Sequence, residues 1–173
     1  TNKLLVVDGE ELVGAKQNRI VNATFLIAGN TEIIIPVSCV EQGRWSYRSQ
    51  KFASGEKVMP AIMRLKNQRA VAMNLKEGAG YRSDQGMIWN DLALKSERMA
   101  VHFETGAMAD LFEEQKDRLG EYLKAFRLVE CQVGAVFAVN GRIVGVECFG
   151  HQQTFAKFFH KLIQSYALDA LDW

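Results

Sequence analysis

Proline and cysteine are both scarce here, with two prolines and three cysteines in 173 residues. Cys39, Cys131 and Cys148 are odd in number, widely spaced and without a CxxC pair. That argues against a disulfide framework or a zinc ribbon and makes a reducing, cytoplasmic setting the default. His102, His151 and His160 form no HxH or HxxH pattern, so neither a metal centre nor a cofactor is implied. No apolar run approaches the roughly 20 residues of a membrane helix, and no signal-peptide pattern opens the chain. A lysine-rich tail is also missing, and few aromatics interleave the basic residues, which argues against nucleic acid.

What remains is the composition of an ordinary globular protein, 48% apolar and 24% charged, and of a length suited to one domain spanning residues 1–173. The chain enters a strand within three residues of Thr1, so an N-terminal segment is expected to be missing. A net charge of +1 conceals an uneven distribution. Residues 42–82 hold nine Lys or Arg against Glu56 and Glu77, whereas residues 83–130 hold ten acids against six bases. The basic block favours a small anionic ligand, unless the acidic block neutralises it in space.

The organising stretch is residues 33–45. Ile33-Ile34-Ile35-Pro36-Val37 is the most apolar run and reads as a buried strand. Within a few residues it ends in Glu41, Gln42, Gly43, Arg44 and Trp45, a set of polar groups held at a strand end. Residues 20–27 form another apolar strand, entered through Lys16, Gln17, Asn18 and Arg19. A turn at residues 29–32 would pair the two strands as an antiparallel hairpin and bring residues 17–19 beside Glu41 and Arg44. Glu41 is then either half of a structural ion pair with Arg44, Arg19 or Lys16, or a poised acid/base. Cys39 shares its face and is a candidate nucleophile, but no histidine is locally placed and the neighbouring carboxylate disfavours a thiolate. Glu10, Glu11 and Glu41 would suit Mg²⁺ only if they converge. The spacing Gly9-x4-Gly14 with Lys16 fails as a phosphate loop, because the lysine is one residue late and two glutamates lie inside.

Residues 3–8 read as a strand, 46–58 as a polar loop, and 60–77 as a helix begun by Pro60. A second helix, about 84–98, is capped by Ser83 or Asp84 and would hold Arg82 and Gln85 near an anion at its N-terminus. Residues 102–106 read as a linker. A third helix, about 107–126, has the clearest apolar stripe. Asn140-Gly141 joins strands 131–139 and 142–149 in a hairpin, where Gly134 and Gly145 mark close approach. A last helix runs over about 154–171. The order of elements predicts an α+β fold, a mostly antiparallel sheet with about four helices packed on one side.

Residues 9–19 and 35–45, with Tyr81-Arg82-Ser83-Asp84-Gln85-Gly86 and the 134–136 and 166–170 segments, resemble the ARPP domain family, the ARG and rhodanese-phosphatase-superfamily-associated protein domain. The resemblance covers nearly the whole chain. It implies association with ADP-ribosylglycohydrolases and phosphatase-like proteins, and through them an ADP-ribose-like or other phosphorylated-nucleotide ligand. Under that reading Arg19 and Arg44 hold the anion, Gln17 and Asn18 orient it, Glu41 is the acid/base and Trp45 stacks on a ring. The alternative is a non-catalytic binding or oligomerising module, such as a homo-oligomer, that serves a partner enzyme.

Overall fold

The structure, a computed structural model, describes residues 3–173. Eight strands and five helices alternate in blocks: β1 Lys3–Val6, β2 Glu10–Gly14, β3 Arg19–Val21, β4 Phe25–Ala28, β5 Val37–Cys39 and β6 Phe52–Val58 come first. Then follow α1 Ala61–Lys76, α2 Gln85–Arg98, α3 Met108–Glu114, α4 Lys116–Ala125, the hairpin β7 Gly134–Val139 and β8 Arg142–Cys148, and α5 Gln152–Leu171. Every strand pair is antiparallel, and the class is α+β as the element order predicts. The pairing is divided into three sheets, β1-β4, β5-β3-β2-β6 and β7-β8.

Two expectations about the N-terminal third are corrected. Residues 33–35 are not a buried strand: Ile34 is 95% exposed, Ile33 is also exposed, and pairing begins only at Val37. The residues that follow β3 do not continue along β5, because Phe25–Ala28 turns away to pair with β1. The stretch 10–14 and much of the loop 46–58 are strands, β2 and β6. Buried acids disguise β2 in the sequence. Lys161 of α5 (3.1 Å) and Ser54 (2.8 Å) hold Glu10, and Asn18 holds Glu11 (3.1 Å), so neither carboxylate is left without a partner. Gly55 lets β6 pass, since a Cβ there would lie 3.0 Å from the Glu11 carbonyl.

The helices follow the sequence more closely. Pro60 sits at the N-cap of α1, and Asp169 of α5 accepts a hydrogen bond from Ile62 N at 2.7 Å, satisfying one of the first-turn donors. Asp84 caps α2 by accepting from Met87 N. The third expected helix breaks at Gln115 into α3 and α4, with Met108, Leu111, Phe112 and Leu119 still facing inward. His151 caps α5 through its Nδ1. Asn140 and Gly141 take φ of 48° and 76° in a two-residue turn between Val139 and Arg142, the left-handed geometry that hairpins of this length require.

Helix α5 packs on α4, α1, β6 and β7 and belongs to both apolar clusters. One cluster gathers Ile20, Val40, Met59, Ile88, Leu92, Met108, Leu111, Phe112 and Leu168, and so sits directly behind the end of β5. The second joins Val7 to the phenylalanines of α5. Cys39 is buried, 2% exposed, and its Sγ lies 3.5 Å from the Glu41 carbonyl.

Candidate active site at the end of strand β5

Pairing of β3 with β5 in the register Arg19↔Cys39 continues past both strands, since Val40 N donates to Asn18 O at 3.1 Å. Gln17 thereby meets Glu41, and its Nε2 donates to the carbonyls of Glu41 (3.0 Å) and Gln42 (3.3 Å). Gln17 is 1% exposed, so the expected polar strand entry is in fact a buried splint that fixes the backbone around Glu41. The two segments do come together as the sequence predicts, although through a long excursion over residues 22–36 instead of a tight hairpin.

Glu41 is itself 1% exposed, and its two oxygens differ in role. Oε2 is fixed by Arg44 Nη2 at 2.6 Å and by Asn18 N at 3.0 Å. Oε1 meets only the Thr105 hydroxyl at 3.4 Å and Arg48 Nη2 at 3.7 Å. Burial pushes the Glu41 carboxyl up, but the Arg44 and Asn18 hydrogen bonds and the charges of Arg44 and Arg48 outweigh it and hold the group below its ordinary value. It is a buried, fixed anion with one oxygen tightly held and the other in longer contacts.

Arg44 is 7% exposed and its guanidinium is consumed inside the protein. Besides Glu41 it donates to Asn18 Oδ1 (3.1 Å), Ala15 O (3.0 Å) and Ser46 O (2.7 Å), which leaves only the buried Nε without a partner. Asn18 relays this network to Glu11 through its Nδ2. Burial, opposed by the Asn18 hydrogen bond and assisted by the negative charge of Glu41, raises the Glu11 carboxyl. Arg44 therefore orients Glu41 and does not reach outward for an anion.

Glu41 lines a cavity of about 410 Å³, within the usual range of roughly 300–1,000 Å³ for small-molecule sites, together with Arg48 and Thr105, the two residues that meet its Oε1. Its far wall is the segment between α2 and α3 together with α3 itself. Backbone bonds stitch that wall to the end of β5, from Gly43 N to Thr105 O (2.7 Å) and from Met108 N to Val40 O (2.8 Å). Gly43 fits closely there, because a Cβ would stand 3.0 Å from the Thr105 backbone and the two segments would have to part slightly. Arg48, His102, Glu104, Thr105, Asp110 and Glu113 are among the side chains that line it. Asp110 is the second perturbed carboxyl: burial, then the negative charges of Glu41 and Glu104, raise it above its ordinary value against the pull of Arg48. Two carboxyls of one cavity are thus driven in opposite directions, the arrangement that separates an acid from a base.

Of the residues singled out in the sequence, Gln17, Asn18, Glu41 and Arg44 form this one network. Lys16 lies on the neighbouring turn with its Nζ 5.2 Å from the centre of the Tyr47 ring. Arg19 faces Cys39 across the ladder and has no ion pair with Glu41 among the described residues; the cationic partners are Arg44 and Arg48. Trp45 is exposed and does not line the cavity. Arg82 and Gln85 belong elsewhere, at a cleft of about 520 Å³ with Asn22, Ser38 and Asn74. Gln85 is occupied in any case, since its carboxamide pairs with Cys39 N and O, both at 2.8 Å, like an extra residue of strand. The anion expected at the start of α2 is replaced by the Asp84 side chain. Glu10 is held by Lys161 and Ser54, Glu11 and Glu41 are bridged by Asn18, and among the described residues no three His, Cys, Asp or Glu side chains form a metal-ligand group.

Arg48 and the whole far wall were missed by sequence reasoning, which took residues 46–58 for a polar loop and residues 102–106 for a linker. The available signal was the charge contrast: the cavity lies where the basic block and the acidic block meet.

The molecule is thus an α+β domain that holds a buried carboxylate–guanidinium pair at the floor of an acidic cavity. It belongs to the ARG and Rhodanese-Phosphatase-superfamily-associated Protein domain family, whose model matches residues 1–173. No curated protein and no solved structure matches the chain. The family name records an association with ARG and with the rhodanese-phosphatase superfamily. No helix among the described residues is long and apolar enough to cross a membrane.

Proposed function

We propose that the domain binds and processes a phosphorylated nucleotide of the ADP-ribose type, with its sugar end in the Glu41 cavity. The observation that carries this reading is the pair of opposed carboxyls, Glu41 held ionised and Asp110 held towards its protonated form, on one cavity. Such a pair supplies a base to a hydroxyl or a water and an acid to a leaving oxygen. The charge of the cavity dictates the ligand's orientation. Four carboxylates besides Asp110 (Glu41, Glu104, Glu113 and Glu114) against Arg48 would repel phosphates from the floor and accept hydrogen bonds from sugar hydroxyls. Phosphates would sit outside, against Arg48, which is 59% exposed and has the free geometry that Arg44 lacks.

The second reading, a non-catalytic module that serves a partner enzyme, is favoured by one feature. Glu41 is so fully engaged at Oε2 that the pair with Arg44 accounts for its burial without any substrate. Calorimetric titration with ADP-ribose, followed by product analysis, separates the two. Arg48→Ala should weaken binding roughly tenfold or more, the worth of a charge-assisted hydrogen bond, with an unchanged melting temperature. Asp110→Asn should retain binding and abolish turnover. Binding without turnover in the unaltered protein selects the non-catalytic module, and absence of binding eliminates the ADP-ribose reading.

A further inference from the structure

Hairpin β7–β8 is a sheet of two strands only, so the outer edge of β7 carries backbone donors and acceptors with no strand partner among the described residues. An unpaired edge is a template for a further strand unless it is covered or charged. Here it is neither. A groove of about 200 Å³ runs along residues 135–139, closed on the other side by Tyr122 of α4, by Phe126 just past its end, and by Phe159, Ile163 and Ala170 of α5. That volume is small for a metabolite pocket, which takes roughly 300–1,000 Å³, and suits one or two aliphatic side chains entering from an extended peptide. Val136 on the edge is 63% exposed, and the sole charged side chain on the groove is Arg127, which has no ion pair among the described residues.

Elsewhere on the surface the same chain carries the counterpart. Residues 31–35, Thr-Glu-Ile-Ile-Ile, belong to no helix or strand, and they expose Ile33 (45%) and Ile34 (95%) to solvent. An isoleucine run in that state has unsatisfied apolar surface and a backbone free to pair. Glu32 precedes it, exposed and without an ion pair among the described residues, and Pro36 ends its pairing capacity, since proline lacks the N–H.

We propose that the edge of β7 accepts residues 31–35 of a second copy of this chain as an added strand, with isoleucine side chains in the groove and Glu32 against Arg127. Donor and acceptor are different surfaces, so the contact is head-to-tail and each molecule can both give and receive. The choice of occupant rests on this complementarity of charge: a groove with one cation and no anion is matched by an apolar segment with one anion and no cation.

Sedimentation over low to high micromolar concentration tests it. The unaltered protein should show a mass that rises with concentration. Ile34→Asp removes the donor and Val136→Asp the acceptor, and both side chains are exposed, so the fold is retained. Each variant alone should associate at least roughly thirtyfold more weakly, as expected for loss of a central anchor. Mixed together, they should form a one-to-one dimer, because one intact donor then meets one intact acceptor. Glu32→Arg should weaken association and the added Arg127→Glu should restore it. A protein that stays monomeric throughout, an Ile34→Asp variant that associates like the original, or a mixture that fails to pair would each overturn the proposal.

Discussion

Glu41 and Asp110 share a cavity but should act on stability with opposite signs. The folded protein holds the Glu41 carboxyl below its ordinary value of 4.5, so folding favours its ionised form. Its contribution is fully present above pH 4.5 and is lost as pH falls through the depressed folded value. Asp110 is raised from 3.8, so folding favours its protonated form, and the cost of ionising it grows as pH rises above 3.8 until the raised folded value is passed. Glu41→Gln would leave Arg44 buried beside a neutral amide and should cost about 3–5 kcal/mol at pH 7, the usual consequence of removing one member of a buried pair. Asp110→Asn should instead raise the urea midpoint at pH 7 and have no effect near pH 3. A stability profile of the two variants between pH 3 and 8 checks both signs at once, and parallel profiles would contradict the assignment.

At the scale of elements, the C-terminal hairpin shows how backbone economy fixes packing. Gly145 lies under the Tyr166 ring of α5, and any Cβ there would collide with the ring and hydroxyl. The tyrosine is in turn committed twice, stacked on Phe137 with ring centres 3.7 Å apart and donating to Glu147 at 2.8 Å. Gly145→Ala should therefore cost about 1–3 kcal/mol by overpacking, whereas Gly141→Ala, with open space around it, should cost less and act only through its φ of 76°. Chemical denaturation of the two variants ranks them. This hairpin was legible in the sequence, because Asn-Gly between alternating strands is a local signal. The isoleucine run was misread for the converse reason: hydrophobicity records what a segment can bury, and Ile33 and Ile34 are left exposed in the excursion between β4, which pairs with β1, and β5. β2 was hidden because its acids find partners far from it in sequence or type, Glu10 in the Lys161 ammonium of α5, 151 residues along the chain, and Glu11 in the Asn18 amide. The candidate site divides in the same way. Gln17, Asn18 and Glu41 were found because strand pairing joins them, while Asp110 and Thr105 reach the cavity through tertiary bonds that no local pattern announces.

On the scale of the whole molecule, one helix decides whether the domain unfolds in one step. The two apolar clusters are distinct groups of buried side chains, one behind the site and one around the phenylalanines near Val7. Separate clusters can melt separately when only a hinge joins them. Here α5 supplies Phe155, Phe158, Phe159, Leu162 and Ile163 to one and Ala167 and Leu168 to the other, without a break in the helix. Its last turn is also fastened electrostatically. Asp169 is paired with buried Lys95 at 2.8 Å and bonds to the start of α1, so loss of α5 would leave a buried ammonium uncompensated. Neither cluster can release the helix alone. Leu162→Ala lies in the second cluster, is fully buried, and should cost about 2–5 kcal/mol. Because the helix is shared, that loss should move the first cluster's transition by the same amount. Trp89 follows Ile88 of that first cluster on α2, so its fluorescence, read with Trp45 and Trp173 replaced by Phe, reports α2, and far-UV circular dichroism reports the helices as a whole. In urea the two signals should keep a common midpoint in the parent and shift together in Leu162→Ala. Midpoints that separate in the variant would show that the site half of the domain stands without the other.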